Sequence, residues 1–245
     1  MYTRSIKFLL FTITCLVMGC NPDEPADAVT SADIIGSVNL YDEGTNQLAN
    51  DSVLVTIEGS NPLKSTITAA DGSFVLSGIS FGTYTISFAR SGFGTYKRVG
   101  VLHSNTGGST TINPSPSIGQ VSSTTITGVV SNFSDKSALL AIETSPTPTS
   151  EVPRYIRVFF SKNANVSFYN YSKYTDVYKH PSNPANLELG IKALNNMGFN
   201  TGDTVFARVY GDSFWSNDYD NIATGKREFP NLNSTTVGAV YFVVP

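Results

Sequence analysis

The chain has 245 residues, 40% of them hydrophobic and 14% charged, with a formal net charge of −3. So sparse and slightly acidic a charge excludes the basic surface that grips nucleic acid, while the length allows two ordinary domains, each with its own core.

Arg4 and Lys7 precede an apolar run from Phe8 to Gly19. A membrane-spanning helix needs about 20 such residues and a secretory signal about 7 to 15, so residues 1–19 read as a signal peptide. Val17-Met18-Gly19-Cys20 resembles the lipobox of bacterial lipoproteins, with Met18 in place of the usual small residue and Val17 in place of the commoner Leu. That resemblance implies a diacylglyceryl thioether on Cys20 as the first mature residue, and two or three acyl chains hold a protein to a bilayer where one holds only reversibly. Residues 20–33 read as a tether, since Pro22, Pro25 and the acids Asp23, Glu24, Asp27 and Asp33 leave nothing to bury. Acids so near the lipidated cysteine resemble the surface-export signals of some Gram-negative lipoproteins, which implies an outer-membrane protein on the cell surface; the periplasmic face is the alternative. Loss of residues 1–19 removes Arg4, Lys7 and no acid, leaving 14 basic against 19 acidic residues, a net charge of −5. Cys15 leaves with the signal and Cys20 is acylated, so no disulfide forms within the mature protein.

From residue 34 to 116 the chain reads as short strands. Val53, Val55 and Ile57 fall on one face, as do Tyr84, Ile86 and Phe88, with Thr83, Thr85 and Ser87 opposite. About seven strands fit between Gly, Asn, Asp and Pro turns, which predicts a β-sandwich. Thr68, Asp71, Gly72, Phe74 and Leu76, followed by Gly82, Thr83, Tyr84, Ile86, Gly92 and Phe93, resemble the carboxypeptidase regulatory-like domain. That family implies a transthyretin-like sandwich, grouped with carbohydrate-binding-like folds and serving peptidases as an accessory without catalytic groups. On this reading Asp71-Gly72 closes a tight hairpin.

Residues 113–124, rich in Pro, Ser and Gly, read as a boundary. A second sandwich is expected over 123–245, with strands in TITGVV, ALLAIET, RYIRVFFS, NVSFYNY, NLELGIKAL, DTVFARVYG and VGAVYFVVP. Val205, Ala207 and Val209 resemble a late strand of a fibronectin type III or related immunoglobulin-like module. Residues 188–199 fit a strand or a short helix capped at Gly198. The predicted fold is therefore all-β, two tandem sandwiches.

Gly78 to Gly82 matches the G-x-S-x-G nucleophile elbow around Ser80, but a strand pattern follows where an elbow needs a helix. His103 and His180 lack metalloprotease spacing. Asp212, Asp218 and Asp220 are candidate calcium ligands, although the loop lacks the glycine and distal Glu of a regular site. The alternation in NVSFYNY sends Tyr169 and Tyr171 away from Val166 and Phe168. These two, with Phe214 and Trp215, are the candidate ligand contacts, because flat apolar rings with polar edges suit sugar faces or a protein partner. The expected function is a non-catalytic binding or adhesion module on a lipid anchor, with polysaccharide as candidate ligand and no cofactor. A structural role in an outer-membrane protein complex is the alternative.

Overall fold

The computed structural model describes residues 29–245. The signal peptide, Cys20 and most of the tether lie outside the described residues. Among the described residues no helix is long and apolar enough to cross a membrane.

The N-terminal half contains β1 (Ser31–Ser37), β2 (Asn39–Tyr41), β3 (Leu54–Ile57), β4 (Lys64–Ile67), β5 (Ser73–Ser80), β6 (Gly82–Ala89), β7 (Tyr96–His103), β8 (Thr110–Thr111) and β9 (Ser117–Gly119). They form sheets of order β5-β1-β8, β4-β3-β6-β7 and β2-β9. The alternation of apolar residues explains why these sheets face each other: Val53, Val55, Ile57, Ile86 and Phe88 from one side meet Ile34, Phe74 and Leu76 from the other in one core.

Two local readings change. Ser31–Asp33, read as tether, already belong to β1, and the Asp33 carboxylate accepts a bond from the Gly78 N–H at 2.9 Å. Asp71-Gly72 does close a tight turn, with Gly72 N–H donating to Ala69 O at 2.9 Å, but it joins β4 to β5 across opposing sheets and makes no hairpin. Gly72 is required there: its φ is +85°, and a Cβ would lie 2.3 Å from Val38 O.

The C-terminal half contains β10 (Thr125–Phe133), β11 (Ser137–Ser145), β12 (Arg154–Ser161), β13 (Lys173–Tyr174), β14 (Tyr178–His180), β15 (Ala185–Gly190), α1 (Ile191–Asn196), β16 (Thr204–Asp212), β17 (Tyr219–Asn221), β18 (Lys226–Glu228) and β19 (Val240–Val243). One sheet has the order β10-β11-β15 and the other β13-β12-β16-β19, with β14 also on β12 and β17-β18 as a separate hairpin. Leu140, Ile142, Ile156, Val158, Phe160, Val205, Ala207, Val209 and Phe242 fill the space between them. The fold is an all-β sandwich architecture throughout.

The segment 188–199 contains both readings in succession, β15 and then α1. Gly198 ends the helix at φ +83°, with Gly198 N–H donating to Asn195 O and Phe199 N–H to Leu194 O, the paired bonds of a Schellman cap.

NVSFYNY is not a strand. Residues 162–172 form a loop that folds over the outer face of β12 and β16, where Phe159, Val166, Tyr210 and Phe229 make a second apolar cluster. This is why almost all of β12 is buried: Ile156, Val158 and Phe160 face the sandwich, while Phe159 lies under Tyr171 of the loop and Arg157 under Tyr174 and Phe229.

Candidate binding cleft between the two halves

After β16 the chain leaves its sheet and runs along the N-terminal half. Phe214 N–H donates to Glu43 O at 2.9 Å and the Ser213 hydroxyl to Gln120 O at 2.5 Å, while Trp215 lies against Tyr41 with ring centroids 5.0 Å apart. Two buried asparagines complete this joint. Asn217 Nδ2 donates to the carbonyls of Gly94 (2.8 Å) and Gly119 (3.1 Å), and its Oδ1 accepts from Gly119 N–H at 2.9 Å. Asn231 Nδ2 donates to Trp215 O at 2.7 Å, and its Oδ1 accepts from Gly94 N–H at 3.1 Å and from Asn217 Nδ2 at 2.8 Å. An amide side chain both donates and accepts, so each residue satisfies backbone groups that neither half's own sheets reach. Asn217 adopts φ +54°, a left-handed conformation that asparagine tolerates better than most residues.

A cleft of about 430 Å³ opens beside the joint. β7 contributes Tyr96 and Arg98, the stretch before β9 contributes Ser115 and Ser117, and the segment after β16 contributes Phe214, Trp215 and Asp218. Phe214 is exposed, edge-on to both Tyr155 and Trp215, whereas the Trp215 ring is partly taken up by Tyr41. Apolar rings facing hydroxyls and a few charged groups are the makings of a site for a polar molecule with apolar faces.

The four aromatics read from the sequence do not form one site. Phe214 and Trp215 line the cleft; Tyr169 and Tyr171 do not. Tyr171 packs against Phe159 (5.2 Å), Tyr174 (5.5 Å) and Phe229 (5.9 Å), and its hydroxyl donates to Arg227 O at 2.9 Å, so it covers β12. Burial pushes its phenol pKa up. Tyr169 is exposed but rests on Phe168, centroids 3.9 Å apart. Tyr96, Arg98, Ser115 and Ser117 escaped the sequence reading. Their segments show only a strand pattern and a Pro/Ser-rich stretch, the latter read as a boundary although β9 within it pairs with β2 and buries Ile118.

The candidate calcium ligands are also apart in role, each matched by an arginine. Asp212 is fully buried and accepts from Arg157 Nε at 2.7 Å; Asp218 and Asp220 both pair with Arg227. Among the described residues no three His, Cys, Asp or Glu side chains gather as a metal site. Burial would raise the Asp218 carboxyl, yet the Ser216 hydroxyl and the Arg227 guanidinium hold it below the ordinary range. Burial pushes Asp212 up to about 6 against the pull of Arg157.

The Asp212 shift has a testable sign. Its unfolded value is near 3.8, so between about 3.8 and 6 the folded state holds the extra proton. The group's contribution is greatest at the acid end and falls as pH rises, by at most about 1.4 kcal/mol per pH unit. His180, lowered by burial, acts oppositely: its contribution is full above about pH 6.5 and is lost as pH falls. Asp212→Asn removes only the first effect. Urea unfolding at pH 4.5 and 6.5 is expected to show the wild type losing stability relative to Asp212→Asn over that rise, and parallel curves would remove the assignment.

Ser80 is no nucleophile elbow. It ends β5 and a strand follows, while both ring nitrogens of buried His103 are engaged, Nδ1 with the Thr110 hydroxyl (2.7 Å) and Nε2 with Ile79 O (3.0 Å).

No protein-family model matches the chain. No curated protein matches it either. Among solved structures it is similar to a protein from Bacteroides uniformis ATCC 8492 provisionally described as carbohydrate binding, at 10% identity over 86% of this chain and 98% of that one, with a TM-score of 0.29. A DUF3823 family protein from Parabacteroides merdae ATCC 43184 is similar at 12% identity over 78% and 94%, TM-score 0.29. A type II cohesin–X-dockerin complex from Acetivibrio cellulolyticus matches at 17% identity over 35% of this chain and TM-score 0.28, and there the chain spans about half (52%) of its counterpart. At such scores the cleft stands on its own residues.

Proposed function

We propose that the protein is a non-catalytic glycan-binding module, held to the outer membrane through acyl chains on Cys20 and displayed at the cell surface. The cleft of Tyr96, Phe214 and Trp215 beside Arg98, Asp218, Ser115 and Ser117 carries the binding reading. Aromatic rings cover the apolar face of a pyranose while the polar side chains bond its hydroxyls. The lipobox resemblance at Val17–Cys20 and the acidic stretch after it support the anchor. The resemblance of the N-terminal half to a regulatory-like accessory domain agrees with a role without catalysis.

Phe214 is the position to test, because it is exposed in the cleft and its removal leaves the contact of Trp215 with Tyr41 in place. Purified full-length protein in detergent, screened on a glycan panel, is expected to retain at least one glycan. Phe214→Ala is expected to weaken that binding about tenfold or more, since losing an aromatic anchor costs about 1.4 kcal/mol or more. Binding unchanged in Phe214→Ala would remove the cleft as the site, and no retention of any glycan would remove the function. Intact mass of the native product tests the anchor separately: a bare thiol at Cys20 refutes it.

A further inference from the structure

The cleft does not end at Asp218. A second cavity of about 440 Å³ continues from it, sharing Tyr96, Arg98 and Asp218 and adding Tyr219, Ile222 and Arg227. The two lie in series between β7, the outer strand of its sheet, and the segment that runs into β17. We infer that this groove takes a neutral, linear oligosaccharide spanning both cavities, with Phe214 and Trp215 at one end and Tyr219 and Ile222 at the other. The inference rests on the glycan-binding reading and adds the ligand's charge and length.

Charge along the groove carries no positive excess, and Glu228 adds a further negative charge near Lys97 and Tyr219. Lys97 is matched by Glu58 at 2.7 Å, and Arg227 by Asp218 and Asp220. Arg227 with two carboxylates leaves one negative charge, and Arg98, which has no carboxylate partner among the described residues, supplies one positive charge. An acidic chain gains nothing from such a lining and loses solvation of its carboxylates. The groove nevertheless offers hydroxyl-bonding groups along its length, with apolar surface at each end.

Width argues against a peptide added to the edge of β7. Residues of β17 already come within 8 Å of β7, Cα to Cα. An inserted strand needs about 4.8 Å on each side, roughly 9.6 Å in all. A sugar chain lying over the open face of the groove makes no ladder bonds and need not part the two strands.

The test uses full-length protein in detergent, titrated by NMR with malto-, cello- and manno-oligosaccharides of two and of four to six units, with oligogalacturonate as the acidic control. For at least one neutral series, affinity is expected to rise about tenfold or more from two units to four and then level off. Ile222→Ser, at a side chain 77% exposed, is expected to erase most of that rise. Tyr219→Ala should do the same if it folds. Phe214→Ala should weaken both lengths. Equal affinity for two and four units, a rise untouched by Ile222→Ser, or preference for oligogalacturonate or an extended peptide would each overturn the inference while leaving a binding cleft. No binding of any glycan would overturn the functional reading with it.

Discussion

Asp212→Ala is expected to destabilise the protein by about 3–5 kcal/mol at pH 7, the cost of stranding a buried charge. Arg157 and Asp212 are 3% and 0% exposed, and their contact at 2.7 Å is the reason both charges are tolerated. Without the carboxylate, Arg157 retains the Thr175 carbonyl at 2.9 Å, the rings of Phe229 and Tyr174, centroids 4.7 and 5.8 Å away, and the longer-range pull of Asp218, which is already paired with Arg227. A rise in the Asp212 pKa despite Arg157 says that the pair is held at a cost, so replacing both members is expected to do less harm than replacing one. Urea unfolding of Asp212→Ala, Arg157→Met and Arg157→Met/Asp212→Leu measures this. The double variant should recover most of the loss. A single-variant loss below about 1 kcal/mol would show that the pair is not buried as described.

Gly119→Ala is the second large effect. A Cβ there would lie 2.3 Å from Trp215 O and 3.1 Å from Trp215 Cβ, while pairing of β9 with β2 prevents Gly119 from retreating. The joint must open, breaking the bonds of Gly119 to Asn217 and Asn231. Three buried bonds at about 1 kcal/mol each put the loss near 3 kcal/mol. The loss should also divide unfolding into two transitions, because each half keeps its own core. Calorimetry is expected to show one transition in the wild type and two in Gly119→Ala, with new proteolytic cleavage near residues 113–124. Gly108→Ala, where nothing lies within 4 Å, is the control and should change little. A single unshifted transition in Gly119→Ala would mean that the joint does not couple the halves.

Much of the fold was legible because strands buried on one face alternate. Val53-Val55-Ile57 and Val205-Ala207-Val209 report their inward faces directly. β12 was less transparent. It carries apolar residues on both faces, and the chain covering the outer face includes the 162–172 loop, whose aromatics mimic a two-faced strand. Tyr169 and Tyr171 stand out for that reason; Tyr171 covers β12, while Tyr169 stays exposed on Phe168. Phe214 and Trp215 were recognisable as unusual, yet their setting depends on how the halves meet. That contact is made by asparagine side chains bonding distant backbone groups, which leave no periodic trace. Tyr96 and Arg98 were hidden likewise, as ordinary β7 residues until the opposite wall was in place.

β1 lies between β5 and β8, antiparallel to one and parallel to the other. Under the proposed anchoring at Cys20, a pull on a bound polymer would load the sandwich through β1, the first described strand. The bonds flanking β1 run across the pull and resist together instead of parting one after another. On that proposal, attachment through the N-terminus would let the sandwich resist drag as shear along β1, without a covalent cross-link.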